Sequence, residues 1–149
     1  MTTVNQAKDY VSPIVAELAN IVRTQIDPPP IHIYELPPDG AADDNTVTII
    51  LNQYKVDDDT NGKLQMRYTF GIVHWFKIMP HLSDAILKAY AYLIPYVLAF
   101  SSWYNQENTL WRIVEVAQGG IKTTGTAGEQ RIGLTTNVEV VLEYNINIT

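Results

Sequence analysis

The sequence predicts an α+β fold in which an antiparallel or mixed sheet of about five strands is flanked by two α-helices. Apolar residues recur at helical spacing near the amino terminus, and several later segments alternate apolar with polar residues. One long, almost uncharged segment interrupts the predicted strands. The predicted order is therefore helix, three strands, helix and two strands, and this arrangement of elements is typical of the α+β class.

Length and composition fit one folded domain. The chain has 149 residues, which suffices for a single core, and no linker or repeat divides it. Apolar residues make up 46% of the chain and charged residues 17%, which excludes a disordered chain. Soluble domains usually have about 25% charged residues, so the low fraction suggests that partners cover part of the surface.

Charge and cysteine content exclude several functions. The net charge is −6 and the ten Lys and Arg residues are scattered, which argues against sequence-specific recognition of nucleic acid. The chain contains no cysteine, which excludes disulfides and thiolate metal sites. The first residues, MTTVNQAKDY, lack the basic and apolar regions of a signal peptide, so none is expected.

The first helix is predicted from one apolar stripe. Its members are Ala7, Val11, Ile14, Val15, Leu18, Ile21, Val22 and Ile26. Thr3 to Gln6 has the spacing of a capping box, and Ser12-Pro13 offers a second start. The prolines at 28–30 end the helix, because proline lacks the amide donor and disfavours helix just before it.

Strand character is recognised in five segments. They span residues 31–34, 47–56, 64–77, 110–122 and 131–146. In the third segment, the even positions from Leu64 to Phe76 form an apolar face. The odd positions are polar at first and apolar towards Trp75, so we expect this end of the strand to be covered on both faces.

Residues 84–100 form an apolar segment of 17 residues, with Ser83 as its predicted N-cap and Pro95 inside. A membrane-spanning helix needs about 20 apolar residues, so a core helix is predicted instead. The segment is apolar around nearly its whole circumference and is rich in tyrosine, which predicts a subunit interface. The aromatic residues predicted to lie at this interface are Tyr90, Tyr92, Tyr96, Trp103 and Trp111.

The acidic stretch VDDDTNGKL, residues 56–64, fits two interpretations. Asp57, Asp59 and Asn61, followed by Gly62, match the first half of an EF-hand loop. Position twelve of that loop is Tyr68, which cannot replace a bidentate glutamate, and the flanks have strand character. Asn-Gly is also a strong hairpin signal, so a turn between two strands is predicted. Divalent cation binding by Asp57, Asp59 and Asn61 at its tip remains an alternative.

No catalytic or cofactor signature is found. The Gly- and Thr-rich stretch 119–128 lacks the phosphate-binding lysine of a Walker loop, and the three histidines are not spaced as metal ligands. No nucleophile and base pair is recognisable, and the paired acids are predicted to lie in exposed loops where burial would not raise their pKa. We therefore expect neither enzymatic activity nor a cofactor.

The order of elements, together with the closing segment, resembles the tail terminator proteins of long-tailed bacteriophages. The closing segment consists of a glycine-containing loop over residues 119–134 and a long alternating strand through 138–144. The resemblance spans roughly residues 5–146 as a pattern and assigns no individual site residue.

The resemblance implies a structural virion protein without turnover. Such proteins form a ring, here expected to be a homohexamer, on the head-proximal end of the tail tube. The ring ends tail polymerisation and joins the tail to the neck and head. The implied partners are the tail tube, sheath proteins and a head-side neck protein, with assembly in the host cytoplasm and final location in the virion. No membrane is involved.

Six copies at −6 give a ring charge of −36. DNA passing through the bore would then meet like charge and would not bind specifically. The loops 36–45, 57–62 and 122–130 are expected to contact partners, since exposed loops usually do so. The predicted polar contact residues are Asp57, Asp58, Asp59, Glu129 and Arg131.

Three alternatives stay open at this point. The chain could be another head-tail connector or tail completion subunit. It could also be a small cation- or ligand-binding α+β domain that uses the DDDTNG segment, or an enzyme without a recognisable site.

Overall fold

The predicted fold class and order of elements are confirmed by a computed structural model, which describes residues 7–39, 43–60, 62–78, 81–103, 111–125 and 130–145. Within these ranges the elements follow the order α-β-β-β-α-β-β. They are α1 (Ser12–Gln25), β1 (His32–Tyr34), β2 (Thr46–Thr60), β3 (Lys63–Lys77), α2 (Leu82–Trp103), β4 (Trp111–Thr124) and β5 (Arg131–Asn145).

The five strands form one mixed sheet in the order β1-β2-β3-β5-β4. β1 runs parallel to β2, and all other neighbours are antiparallel. β3 and β5 pair over their whole length, from Lys63 opposite Asn145 to Lys77 opposite Arg131. β2 and β4 each contain two irregularities in register, which are typical of bulges near the edge of a sheet.

α1 begins later than the apolar stripe predicts. Ala7 lies outside the helix, and the predicted capping box at residues 3–6 lies outside the described residues. One carboxylate oxygen of Asp9 accepts hydrogen bonds from the amides of Val11 and Ser12, each at 2.9 Å. Hydrogen bonds from Ser12 also lower the pKa of Asp9. This carboxylate and Pro13 in the first turn fix the start at the second predicted site.

Strand alternation places the core on one face of the sheet, here called the inner face. In β3 the even positions Tyr68, Phe70, Ile72, His74 and Phe76 are buried. The buried stripes of both helices belong to the same core as these side chains. Burial of such large apolar side chains contributes about 1.5–3 kcal/mol each to stability.

We call the face of the sheet opposite the core the outer face. Trp75 covers this face near the Lys77 end of β3. The indole Nε1–H of Trp75 donates to Thr48 Oγ1 at 3.1 Å. A Cβ at Gly133 would lie 2.9 Å from the ring of Trp75, so the indole lies directly on the β5 backbone. The predicted cover of the second face is thus supplied by the Trp75 indole, which lies across the sheet.

Thr136 offers a test of the core. Its side chain is fully buried on β5, and its Oγ1 has no hydrogen-bond partner. A buried hydroxyl without a partner lowers stability, because its lost hydration is not replaced. We expect Thr136→Val to raise the free energy of unfolding by about 1 kcal/mol, measured by urea denaturation. A loss of stability would show that the hydroxyl has a partner, and Thr69→Val on the outer face is the control.

Candidate assembly surface

The helix α2 buries one face and exposes large apolar side chains on another. Its buried residues are Ala85, Ala89, Tyr92, Tyr96, Ala99, Phe100 and Trp103. On the opposite side, Leu87, Tyr90, Ile94 and Leu98 are 55–66% exposed and recur every three or four positions. We call these four residues the α2 stripe. The prediction of a core helix therefore holds for one face only.

The helix is also longer than predicted. It begins at Leu82, so Ser83 lies inside it rather than at its cap, and Pro95 does not end it. By length and apolar composition alone α2 would suffice to cross a membrane, and 33% of its most apolar window is buried within the chain. The buried residues of α2 pack within the core. The α2 stripe remains as an apolar surface on the other side of the helix.

The predicted interface aromatics fall into two groups. Tyr92, Tyr96 and Trp103 are at most 8% exposed, so their side chains pack within the chain's own core instead of reaching a partner. Trp111 is half-buried and stacks on Trp103, with ring centroids 4.5 Å apart. Tyr90 alone of the five belongs to the α2 stripe. Among the tyrosines of α2, the position around the helix axis decides which side chain faces the sheet and which faces solvent. Only the packed structure shows which positions face the sheet.

A buried chain of hydrogen bonds links α2 to the sheet. His74 lies between Tyr96, whose hydroxyl is 2.8 Å from Nδ1, and Asn45, whose Oδ1 is 2.8 Å from Nε2. Because an amide oxygen accepts, Nε2 carries the proton and Nδ1 accepts from the tyrosine. Burial lowers the pKa of His74 to about 4. The imidazole is therefore neutral at pH 7, and it positions α2 against β3.

Asn45 extends these hydrogen bonds to the start of β1, at the edge of the sheet. Its backbone has a φ of 56°, and its amide donates to the carbonyl of Trp75 at 2.9 Å. Its own carbonyl accepts from the amide of Ile31 at 2.8 Å, which fixes the start of β1. These hydrogen bonds could not be predicted from the sequence, because Asn45, His74 and Tyr96 lie far apart in it.

The acidic stretch forms a hairpin, as predicted. β2 pairs with β3 up to Thr60 opposite Lys63, so the chain reverses between these two residues, and Gly62 has a φ of 75°. Residues 57–60 are thus part of β2, although a loop was predicted there, and likewise 122–124 are part of β4. Asn61, Glu129 and the side chains of Asp58 and Asp59 lie outside the described residues.

The carboxylate of Asp57 is bound by neighbouring side chains. Arg67 Nε donates to Asp57 Oδ1 at 3.1 Å and Arg67 Nη1 donates to Glu139 Oε2 at 3.0 Å. Gln65 Nε2 donates to Asp57 Oδ2, also at 3.1 Å. The hydrogen bond to Asp57 raises the pKa of Arg67. Asp57 therefore ties the hairpin to the outer face of the sheet, where Glu139 also lies.

Loss of the ion pairs of Arg67 should lower the free energy of unfolding measurably. We expect Arg67→Met to lower the free energy of unfolding by about 1 kcal/mol, because two ion pairs with side chains only 25–28% exposed are lost and their carboxylates repel. Lys55→Met, on the neighbouring strand and opposite Arg67, is the matched control and should have little effect. Denaturation at low and high salt checks the cause, since salt should reduce the difference between wild type and Arg67→Met.

The remaining candidate ligands do not come together. Among the described residues no group of three His, Asp or Glu side chains is placed to hold a metal ion. His32 stacks edge-on against Tyr34, His74 is in the core, and His81 is exposed before α2. Arg131 begins β5 and lies opposite Lys77.

A cleft of about 440 Å³ opens beside β1, and we call it the β1 cleft. Its lining residues are Asp27, Pro28, Ile31, Asp44, Asn45, Phe76, Lys88, Ala91 and Tyr92. The hydroxyl of Tyr92 donates to the carbonyl of Pro28 at 3.0 Å, and burial followed by the charge of Asp27 raises the pKa of Tyr92. The cleft adjoins α2 through Lys88 and Ala91.

No protein-family model matches this chain, and no curated protein matches its sequence.

Proposed function

We propose that this chain is a ring-forming structural subunit of the tail terminator type, which caps the head-proximal end of a phage tail tube and joins the tail to the neck. The observation that supports this most is the α2 stripe. Four large apolar side chains, each more than half exposed on one helix, form a contiguous surface that in soluble proteins usually marks a binding partner.

A repeated contact between identical copies would cover this surface in every subunit. In a ring the stripe of each copy would meet a different surface on the neighbour, and such a heterologous contact closes when the rotation between copies is right. The low fraction of charged residues is in keeping with a chain whose surface is partly covered. The order of elements and the long closing strand β5 supply the resemblance to tail terminators.

The ring is tested by mass and by microscopy. Light scattering after size exclusion should give about 101 kDa, six copies of the 16.8 kDa chain, or show assembly only when tail tubes are added. Electron microscopy of tubes mixed with the protein should show one cap on one end of each tube and no further growth. A monomer that leaves tube length and tube ends unchanged would overturn the proposal.

The alternative of a cation-binding domain is tested by measuring the mass and the melting temperature with and without calcium or magnesium. Asp57 already accepts from Arg67 and Gln65, which disfavours it as a ligand in the folded state. Calcium or magnesium should therefore leave both the mass and the melting temperature unchanged. A large shift with either ion would favour the hairpin as a cation site.

A further inference from the structure

We propose that the β1 cleft binds a lysine or arginine side chain that projects from an extended, partly apolar segment of another protein. The inference goes beyond the proposed function and does not rest on ring formation. It follows from the charges around the cleft, from its fixed walls and apolar floor, and from the apolar side chains at its mouth.

Acidic residues outnumber basic ones around the cleft. Residues 27–45 contribute five of the nine lining residues and contain neither Lys nor Arg. Their acidic side chains, all exposed, are Asp27, Glu35, Asp39, Asp43 and Asp44. Among the described residues Lys88 is the one basic residue that lines the cleft, and Asp84 lies one turn before it on the same face of α2. The excess of negative charge attracts a cationic group.

The two carboxylates that line the cleft have room for a further partner. Among the described residues, neither Asp27 nor Asp44 belongs to an ion pair. One oxygen of Asp44 accepts from the amide of Lys77 at 2.7 Å, which leaves the second oxygen as an acceptor. By strand alternation the side chain of Lys77 lies on the outer face, whereas the cleft lies between the inner face and α2.

Hydrogen bonds hold the walls of the cleft in place. The hydroxyl of Tyr92 donates to the carbonyl of Pro28 at 3.0 Å. Asn45 accepts from His74 Nε2 through its side chain and from the amide of Ile31 through its carbonyl, each at 2.8 Å. Because these walls are already ordered, a ligand is bound at a lower entropic cost. The volume of about 440 Å³ also lies within the usual range for ligand sites, about 300–1,000 Å³.

The floor of the cleft is aromatic. Phe76 and Tyr92 are at most 8% exposed where they line it, and their ring centroids lie 5.6 Å apart. Such a floor does not suit a hydrated metal ion, and no group of three acidic or histidine side chains among the described residues is placed to hold one. A long side chain with a methylene stem and a charged end fits both the floor and the carboxylates.

The mouth of the cleft favours a protein segment over a free small cation. Ile31 and Leu36 flank β1 and are 77% and 78% exposed. β1 is an edge strand of the sheet, and an extended segment can lie along such a strand while its side chains enter neighbouring pockets. A segment with apolar residues beside its cation would cover Ile31 and Leu36, whereas a free cation would leave them exposed.

Titration with short peptides tests the proposal. The probe is the acetylated and amidated peptide Ser-Leu-Lys-Leu-Ser, and the matched controls have norleucine or glutamate in place of its lysine. Binding to the isotope-labelled full-length chain is followed by NMR through the amide shifts of Ile31, Asp44, Asn45 and Ala91. The lysine peptide should bind about tenfold more tightly than either control, and added salt should reduce this difference.

Substitutions assign the effect to the cleft. Asp27→Asn should weaken binding of the lysine peptide about threefold, as expected for the loss of one exposed ion pair. Asp27→Asn/Asp44→Asn should weaken it about tenfold, and asparagine keeps an acceptor for the amide of Lys77. Lys88→Met removes a like charge and should strengthen binding about threefold. Lys55→Met, at an exposed site on β2, should bind as wild type does.

Two results of the titration would overturn the proposal. Equal binding of the three peptides, or preferred binding of the glutamate peptide that is lost in Lys88→Met, would show that the cleft does not select a cation. Binding of n-butylammonium as tightly as the lysine peptide would show that a free cation suffices. Circular dichroism confirms that each variant is folded.

Light scattering distinguishes another protein from a second copy of this chain. Asp27→Asn/Asp44→Asn should have the same mass as wild type under all conditions. If this variant fails to assemble where wild type does, the occupant is a second copy and the proposal is overturned. If wild type neither forms rings nor caps tubes but the peptide result holds, the proposed function fails and the cation site stands.

Discussion

Lowering the pH from 7 to 4 is expected to reduce the free energy of unfolding by about 3 kcal/mol through His74 alone. The pKa of His74 is about 4 in the folded chain against 6.5 for a solvated histidine, because burial penalises the charged imidazolium. The unfolded chain therefore binds a proton between these two values, and the folded chain does not. Stability is full above pH 6.5, falls as the pH drops towards 4, and levels off below it.

The buried chain of hydrogen bonds adds to this cost. A protonated His74 would present a proton to Tyr96, whose hydroxyl now donates to Nδ1, so that hydrogen bond would have to be remade. The residue is fully buried, and no rearrangement of surface side chains can hydrate the charge.

Urea denaturation at intervals between pH 4 and pH 7 measures the effect. His74→Gln is the reference variant, because glutamine keeps one donor and one acceptor but does not titrate. The difference in unfolding free energy between wild type and this variant should change with pH, since the carboxylates titrate equally in both. His32→Gln, at an exposed site, is the matched control substitution. Parallel profiles for wild type and His74→Gln would contradict the prediction.

Polar substitution of the α2 stripe is expected to abolish assembly without unfolding the chain. Leu87 and Ile94 are 63% and 66% exposed, so Leu87→Gln/Ile94→Gln should change the free energy of unfolding by less than about 0.5 kcal/mol. In a ring these two side chains would be covered in all six copies, and each buried leucine or isoleucine contributes about 1.5–3 kcal/mol at its contact. The double variant should therefore remain at 16.8 kDa where wild type assembles.

Size exclusion with light scattering and a denaturation curve are both needed for this prediction. Val56→Gln is the matched control, because Val56 is 58% exposed on the β2–β3 hairpin and away from α2. It should assemble like wild type in solution. Full assembly of the Leu87→Gln/Ile94→Gln variant would remove the α2 stripe from the interface and with it the main support for the ring.

The elements could be predicted because each has a local period. Alternation in β3 and β5 and the helical spacing of α1 are properties of neighbouring residues, and the Asn61-Gly62 turn is a short-range signal. The exact first and last residues of the helices and strands could not be predicted in the same way. The start of α1 depends on the carboxylate of Asp9, and the ends of β2 and β4 depend on pairing with strands elsewhere in the chain.

The surfaces could be predicted only in part. An apolar helix with several tyrosines indicated an interface, but the sequence could not say that Tyr90 faces outward while Tyr92 and Tyr96 face the sheet. The β1 cleft brings together residues of α2, of β3 and of the segments around β1, which lie far apart in the sequence.

The stacked indoles of Trp103 and Trp111 have a consequence for engineering. They hold the last residue of α2 to the first residue of β4, with ring centroids 4.5 Å apart and planes 19° from parallel. The two residues that flank segment 104–110 are therefore held together by their own contact. Doubling the length of a loop whose ends are fixed costs only about 0.6 kcal/mol in closure entropy. We therefore expect a tag or a fluorescent label inserted between Trp103 and Trp111 to leave the sheet intact.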